Sequence, residues 1–171
     1  MPVPSSNDNE EKATLCMLLS TLISNKGMCQ LKLCETAKSI DNLMQLVNTI
    51  DELSSALNHL DRLSCPNQDT KPIRSKMLYR RAKARHLLAM NHSLLVASTT
   101  TNIPSIVKWM ADAQTDLHQL LSFDGKNKMA QKLLLQMKAD TLKLKKDGTI
   151  STSSSPLESA LQNILQLHEK D

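Results

Sequence analysis

Apolar residues recur along this chain at intervals of three and four, the spacing of helices that carry one apolar stripe. A first helix is predicted over about 10–33, where Leu15, Leu18, Leu19, Leu22, Ile23, Met28, Leu31 and Leu33 keep that spacing. Glu10 and Glu11 at its start suit the positive end of a helix dipole. Gly27 within it costs about 1 kcal/mol against alanine, so a second helix is expected to pack closely there. The next helical region, roughly 36–63, carries Ile40, Leu43, Met44, Val47, Ile50, Leu53, Leu57 and Leu60. After a turn containing Pro66, a third helix runs to about Met90. Residues 91–104, with the β-branched, polar run Ser98-Thr-Thr-Thr-Asn102, are read as a loop. A helix over about 105–123 presents Ile106, Trp109, Met110, Ala113, Leu117, Leu120 and Leu121, and Asp124-Gly125 breaks it. The next, 126–146, places Met129, Leu133, Leu134, Met137 and Leu144 inside, with Asp147-Gly148 as its stop. Residues 1–9 are expected to be disordered, 147–155 to form a Ser/Thr linker, and Pro156 to open a short last helix.

Composition narrows the class to all-α. Three glycines and 2% aromatic residues are too few for a sandwich or barrel, and helix formers dominate. A net charge of +4 permits an acidic partner without demanding nucleic acid. Cys16, Cys29, Cys34 and Cys65 form no CxxC and have no histidine at zinc-finger spacing, so they read as reduced, small hydrophobes. No apolar run reaches membrane-spanning length and no signal peptide opens the sequence, which makes a cytosolic chain, with access to the nucleus, the default expectation. His59, His86, His92, His118 and His168 are scattered and read as structural. No nucleophile elbow, Gly-rich phosphate loop or paired-carboxylate motif points to an enzyme, and no cofactor or metal is implied.

The stretch 71–86 holds seven Lys/Arg and no acid. On a helix, Lys76, Arg80 and Lys83 repeat at i, i+4, i+7 and share one face, while Met77, Leu78, Ala82, Ala84 and Leu88 are available for the other. Such a row can hold a carboxylate or a phosphate, or can simply be solvated. Arg81 reads as solvated or as an intramolecular partner, Tyr79 and Trp109 as core. Two segments also share a plan: residues 23–33, with Gly27, precede a helix with Leu53, Leu57 and Leu60, and residues 78–88, with Ala82, precede one with Ala113, Leu117 and Leu120. Antiparallel pairs with a small residue at the crossing suggest a helical repeat array.

At these residues the chain resembles the tetratricopeptide repeats of chaperone-binding cofactors. Ser24-Asn25-Lys26-Gly27-Met28-Cys29-Gln30-Leu31-Lys32-Leu33 is similar to the first helix of a middle repeat, Lys76-Met-Leu-Tyr-Arg-Arg-Ala-Lys-Ala84 to that of the following repeat, and 113–125 to its partner helix. The resemblance spans about 15–146 and implies a right-handed superhelix of helix pairs, closed by a capping helix over 126–146. It further implies a groove that grips the C-terminal carboxylate of peptides ending Glu-Glu-Val-Asp, the tails of cytosolic heat-shock protein 70 and 90. Asn25, Lys76 and Arg80 match the family's carboxylate-binding positions, and Lys83 is a possible further groove contact. A carboxylate is an acceptor-only anion, which Lys, Arg and an Asn amide suit. The tail, a Ser/Thr segment and a short apolar helix, resembles the layout after the repeats of UCS-family myosin chaperones.

The sequence departs from that pattern in having no counterpart of the family's first repeat, whose Lys and Asn complete the clamp. Residues 34–49 and 90–104 look like insertions. Two other readings therefore stand beside the peptide adaptor: a structural or assembly module whose groove is filled by the insertions or by another chain, and a nucleic-acid binder using 71–85, against which the scarcity of aromatics argues.

Overall fold

Three of the described helices begin at a side chain that accepts from an orphan N–H group. The computed structural model describes residues 6–36, 39–62, 69–98 and 104–150. Over these it contains helices α1 (Ser6–Thr36), α2 (Ile40–Arg62), α3 (Lys71–Met90), α4 (His92–Ser98), α5 (Ile106–Phe123) and α6 (Lys128–Lys146), and no strand. Ser39 Oγ accepts from the Asn42 N–H at 3.1 Å, Ser105 Oγ from Lys108 at 3.2 Å, and Asn127 Oδ1 from Ala130 at 3.1 Å. α3 uses Pro72 in its first turn, with Asp69 accepting from the Lys71 N–H at 3.0 Å. The stop at the end of α6 is a left-handed glycine, Gly148 at φ 70°, past which the Thr149 N–H returns to the Leu144 carbonyl at 3.0 Å.

The chain divides into two compact units, Met1–Leu134 and Leu135–Asp171, with the division inside α6. In the first unit the order of contacts is a zigzag. α1 packs on α2, α2 on α3 and α3 on α5, and α3 also lies beside α1. Side-chain pairs give the direction of each packing. Lys26 meets Glu52 while Gln30 and Cys34 reach the Asn42 carbonyl, so α1 and α2 are antiparallel. Asp61 with Arg74, and Ser54 with Arg81, make α2 and α3 antiparallel too. The all-α class and the helix-pair arrangement expected from the spacing are therefore present.

Gly27 meets its expectation of close approach. A Cβ built there would stand 3.3 Å from Thr49 Cγ2 and 3.4 Å from Leu53 Cδ1, so α2 lies directly against the α1 backbone. The core includes Leu43, Leu46, Leu53 and Leu60 of α2, Met77, Leu78 and Leu88 of α3, and Trp109, Leu117 and Leu120 of α5. Burying each such side chain contributes roughly 1.5–3 kcal/mol, which makes the seams around α3 the chief source of stability.

Four sequence expectations change. First, the apolar spacing of α1 is real but does not mark its covered side. Leu15, Leu18, Leu19, Leu22 and Leu33 are exposed, and the buried positions are Ala13, Ser20, Ser24, Gly27, Gln30, Leu31 and Cys34. Small residues face the neighbours because they let two helices approach along the α1 backbone. Second, residues 92–98 are helix and not loop. Asn91 ends α3, its side chain donating to the Leu87 carbonyl at 2.7 Å, and its own carbonyl accepts from Leu94 and Leu95, starting a new turn. Leu95 is then buried and α4 packs against α2. Third, Met129 is exposed. The covered positions of α6 are Ala130 and Leu133 in the first unit and Met137 and Thr141 in the second, one residue out of step with Met129. Fourth, α1 begins at Ser6, inside the segment expected to be disordered, and within the span expected as an insertion 34–36 end α1 and 40–49 begin α2. The expected last helix after Pro156 and most of the Ser/Thr linker lie outside the described residues.

Candidate functional site

α1 and α3 lie side by side, and the residues singled out by the basic spacing fall along their shared edge. Arg80 of α3 is the link. Its Nη1 donates to the Ser24 hydroxyl and, at 3.4 Å, to Asn25 Oδ1 of α1. Ser24 is fully buried, whereas Asn25 is exposed, so the guanidinium lies across the rim of the α1–α3 seam. Burial lowers the Arg80 pKa from its ordinary value, with Cys29 acting weakly in the opposite sense. Arginine nevertheless stays charged, because its intrinsic pKa is far above neutrality.

The chemistry left over at this site is that of a donor cluster. Accepting at Oδ1 fixes the Asn25 amide so that its two N–H groups remain donors, and among the described residues they have no protein acceptor. Nε and Nη2 of Arg80 are in the same position. Lys76, one helical turn before Arg80, is exposed and makes no ion pair or hydrogen bond among the described residues. The structure thus brings Asn25 and Arg80 together and leaves Lys76 open on the same helix face.

Lys83 has a different fate. It pairs with Glu35 of α1 at 2.5 Å, so the third cation of the row closes the far end of the α1–α3 seam instead of standing free. Arg81, more than half a turn round the helix from Lys83, turns inward. Its guanidinium holds Asp116 of α5 through two bonds, Nη2 to Oδ1 at 2.6 Å and Nε to Oδ2 at 3.0 Å, and donates to Ser54 Oγ of α2 at 3.0 Å. Arg85 adds a bond to Asp116 Oδ2 at 2.5 Å and one to the Asp112 carbonyl at 3.3 Å. This buried triad ties α2, α3 and α5 into one block behind the basic face. Sequence reasoning missed Asp116, although a signal existed: it is the one acid inside the apolar stripe Trp109, Ala113, Leu117, Leu120 of α5.

Other candidate chemistry is accounted for by packing. His92 sits edge-on to Trp109 with ring centroids 5.9 Å apart, and Trp109 is buried, while Tyr79 is half-buried. Cys16, Cys29 and Cys34 are free thiols, and Cys65 lies outside the described residues. Among the described residues no group of His, Cys, Asp and Glu could hold a metal ion, and no helix is long and apolar enough to cross a membrane. In comparisons with protein-family models, curated proteins and solved structures, nothing matches this chain.

Proposed function

We propose that the chain is a peptide-binding adaptor, a tetratricopeptide-like co-chaperone module that takes the free C-terminal carboxylate of an acidic peptide on Asn25, Lys76 and Arg80. The supporting observation is the lodging of Arg80 beside Asn25 across the α1–α3 seam, with Lys76 open one turn away. In this reading Arg80 and the Asn25 amide donate to the terminal carboxylate, and Lys76 takes the neighbouring acidic side chain as a point charge. The buried Arg81–Asp116 block holds α3 rigid so that these donors are arranged before the peptide arrives, which reduces the ordering cost of binding. Lys83 is left out of the contact because its ammonium is directed to Glu35 at the far end of the seam. Peptides ending Glu-Glu-Val-Asp, the tails of cytosolic heat-shock protein 70 and 90, have the required chemistry, and a partner of that kind implies a cytosolic chain.

The test is a titration with a labelled peptide ending Met-Glu-Glu-Val-Asp beside the same peptide amidated at its C-terminus. Binding in the micromolar range that amidation abolishes supports the reading. Equal binding of both peptides, or none in a folded sample, sinks it and moves the assignment to an assembly scaffold without a carboxylate clamp.

A further inference from the structure

The exposed leucines of α1 have no role in the peptide site. Leu15, Leu18, Leu19 and Leu22 are 58%, 59%, 50% and 65% exposed. Their spacing, i, i+3, i+4, i+7, makes a single strip on the side of α1 turned away from Ala13, Ser20 and Ser24, which are buried. Leu15, Leu19 and Leu22 form one wall of an open groove of about 850 Å³, whose other wall is Glu52, Ser55, Ala56 and His59 of α2, while Leu18 stands outside it beside Glu11 and Thr14. A contiguous apolar patch with a neighbouring groove marks an interaction surface.

What covers it is argued from the charges at its two ends. Glu11 precedes the strip by four residues and Lys26 follows it by four, so both continue the same helix face. Both are exposed. Lys26 uses two donors on Glu52, at 2.6 and 2.8 Å, and an ammonium has three. Opposite charges stand equidistant from the midpoint between Leu18 and Leu19. A second α1 laid antiparallel about that midpoint meets Leu22 with its Leu15, Leu19 with its Leu18, and Lys26 with its Glu11. The surface is complementary to itself under a twofold rotation, which is what a closed homodimer interface requires.

We propose that the chain forms a twofold-symmetric homodimer through α1, the leucine strip of each copy laid antiparallel against that of the other, with Glu11–Lys26 pairs at both ends.

The test is sedimentation of the full chain over a concentration series, with far-UV circular dichroism as the control for folding. A concentration-dependent dimer is expected. Leu18→Glu, at an exposed position, is expected to abolish it. Glu11→Lys and Lys26→Glu each set like charges against one another at both ends and should each weaken the dimer about tenfold. Mixing those two single variants restores opposite pairing at both ends, and a mixed dimer tighter than either variant alone is expected. The double variant Glu11→Lys, Lys26→Glu should recover for the same reason. A chain monomeric at every concentration overturns the proposal, and so does a dimer indifferent to Leu18→Glu. A mixture no tighter than its components overturns the antiparallel twofold arrangement. A groove that fills only when another protein's helix is added also counts against it. None of these residues belongs to the peptide site, so peptide titration and sedimentation fail independently.

Discussion

Asp116 of α5 accepts both arms of the Arg81 guanidinium from α3, at 2.6 Å and 3.0 Å, while only 2% of its side chain is exposed. Arg85 shares the same carboxylate, so two cations depend on one buried acid. Removing that acid leaves both guanidinium groups uncompensated where solvent reaches them poorly. Asp116→Ala is therefore expected to lower stability by about 3–5 kcal/mol. Asp116→Asn keeps an acceptor oxygen and should lose less. Urea unfolding monitored by circular dichroism measures both, and an alanine variant within experimental error of the parent would show that the triad contributes nothing net.

The two cations of the proposed peptide site should separate under mutation. Lys76 is exposed and unpaired among the described residues, so Lys76→Glu is expected to abolish binding of the acidic peptide without moving the unfolding midpoint. Arg80 has a structural bond to the buried Ser24 hydroxyl, so Arg80→Glu should lose both binding and stability. Asn25→Ala removes one amide donor and should weaken binding about tenfold. Affinity should also fall with added salt. Fluorescence anisotropy of the labelled peptide reads all four, and unchanged affinity in Lys76→Glu would be decisive against the site.

At the α1–α2 crossing, Gly27 leaves only a narrow margin. Alanine there gains about 1 kcal/mol of helix propensity, but its Cβ would press on Thr49 Cγ2 at 3.3 Å. Thr49 gives way poorly, since it is β-branched and its hydroxyl is bonded to the Gln45 carbonyl at 2.9 Å. Gly27→Ala is expected near neutral and Gly27→Leu to cost about 1–3 kcal/mol. Combining Gly27→Ala with Thr49→Ser, which removes the obstructing methyl, should be more stable than the two single effects added together. Additive effects would mean that the helices simply move apart.

Alkaline pH should loosen the same helix pair. The Cys34 thiol is buried and donates to the Asn42 carbonyl at 3.2 Å. Burial raises its pKa above the ordinary thiol value, with Gln30 pulling down and Glu35 pushing up. The folded state thus holds the thiol proton to higher pH than the unfolded chain does. This contribution to stability is complete below the unfolded thiol pKa of about 8.5 and is lost as pH rises from there through the folded value. Denaturation midpoints from pH 7 upward should show that decline in the parent and a shallower one in Cys34→Ala. Parallel profiles would remove Cys34 from the account.

How far the chain could be read in advance depended on whether the deciding contact was local. α3 and α5 were legible almost to the residue, because Pro72, Ser105 and the Asp124-Gly125 break are signals within the helix itself. The leucines of α1 misled because periodicity shows that a helix has two faces but not which is covered. Its seam is built from Ala13, Ser20, Ser24 and Gly27, which carry little hydrophobic weight. Polar neighbours make residues 92–98 read as a loop, while the buried Leu95 anchors them as helix. In the candidate site, the spacing of Lys76 and Arg80 was visible along one helix. The diversion of Lys83 to Glu35, and of Arg81 to Asp116, was not, because each partner stands on a different helix.

The small-residue seam of α1 also grades how its backbone opens. Between Glu10 and Leu22 only Ala13 and Ser20 are buried, whereas Ser24, Gly27, Gln30, Leu31 and Cys34 follow in close succession. Within a single copy the first half of the helix can fray while forfeiting little apolar contact, but the second half cannot leave without uncovering Thr49 and Leu53. Native-state amide hydrogen exchange should therefore rise in protection along a single unbroken helix. In the monomer, amides before Ser20 should exchange through local openings, and those from Gly27 to Cys34 only when the whole first unit unfolds.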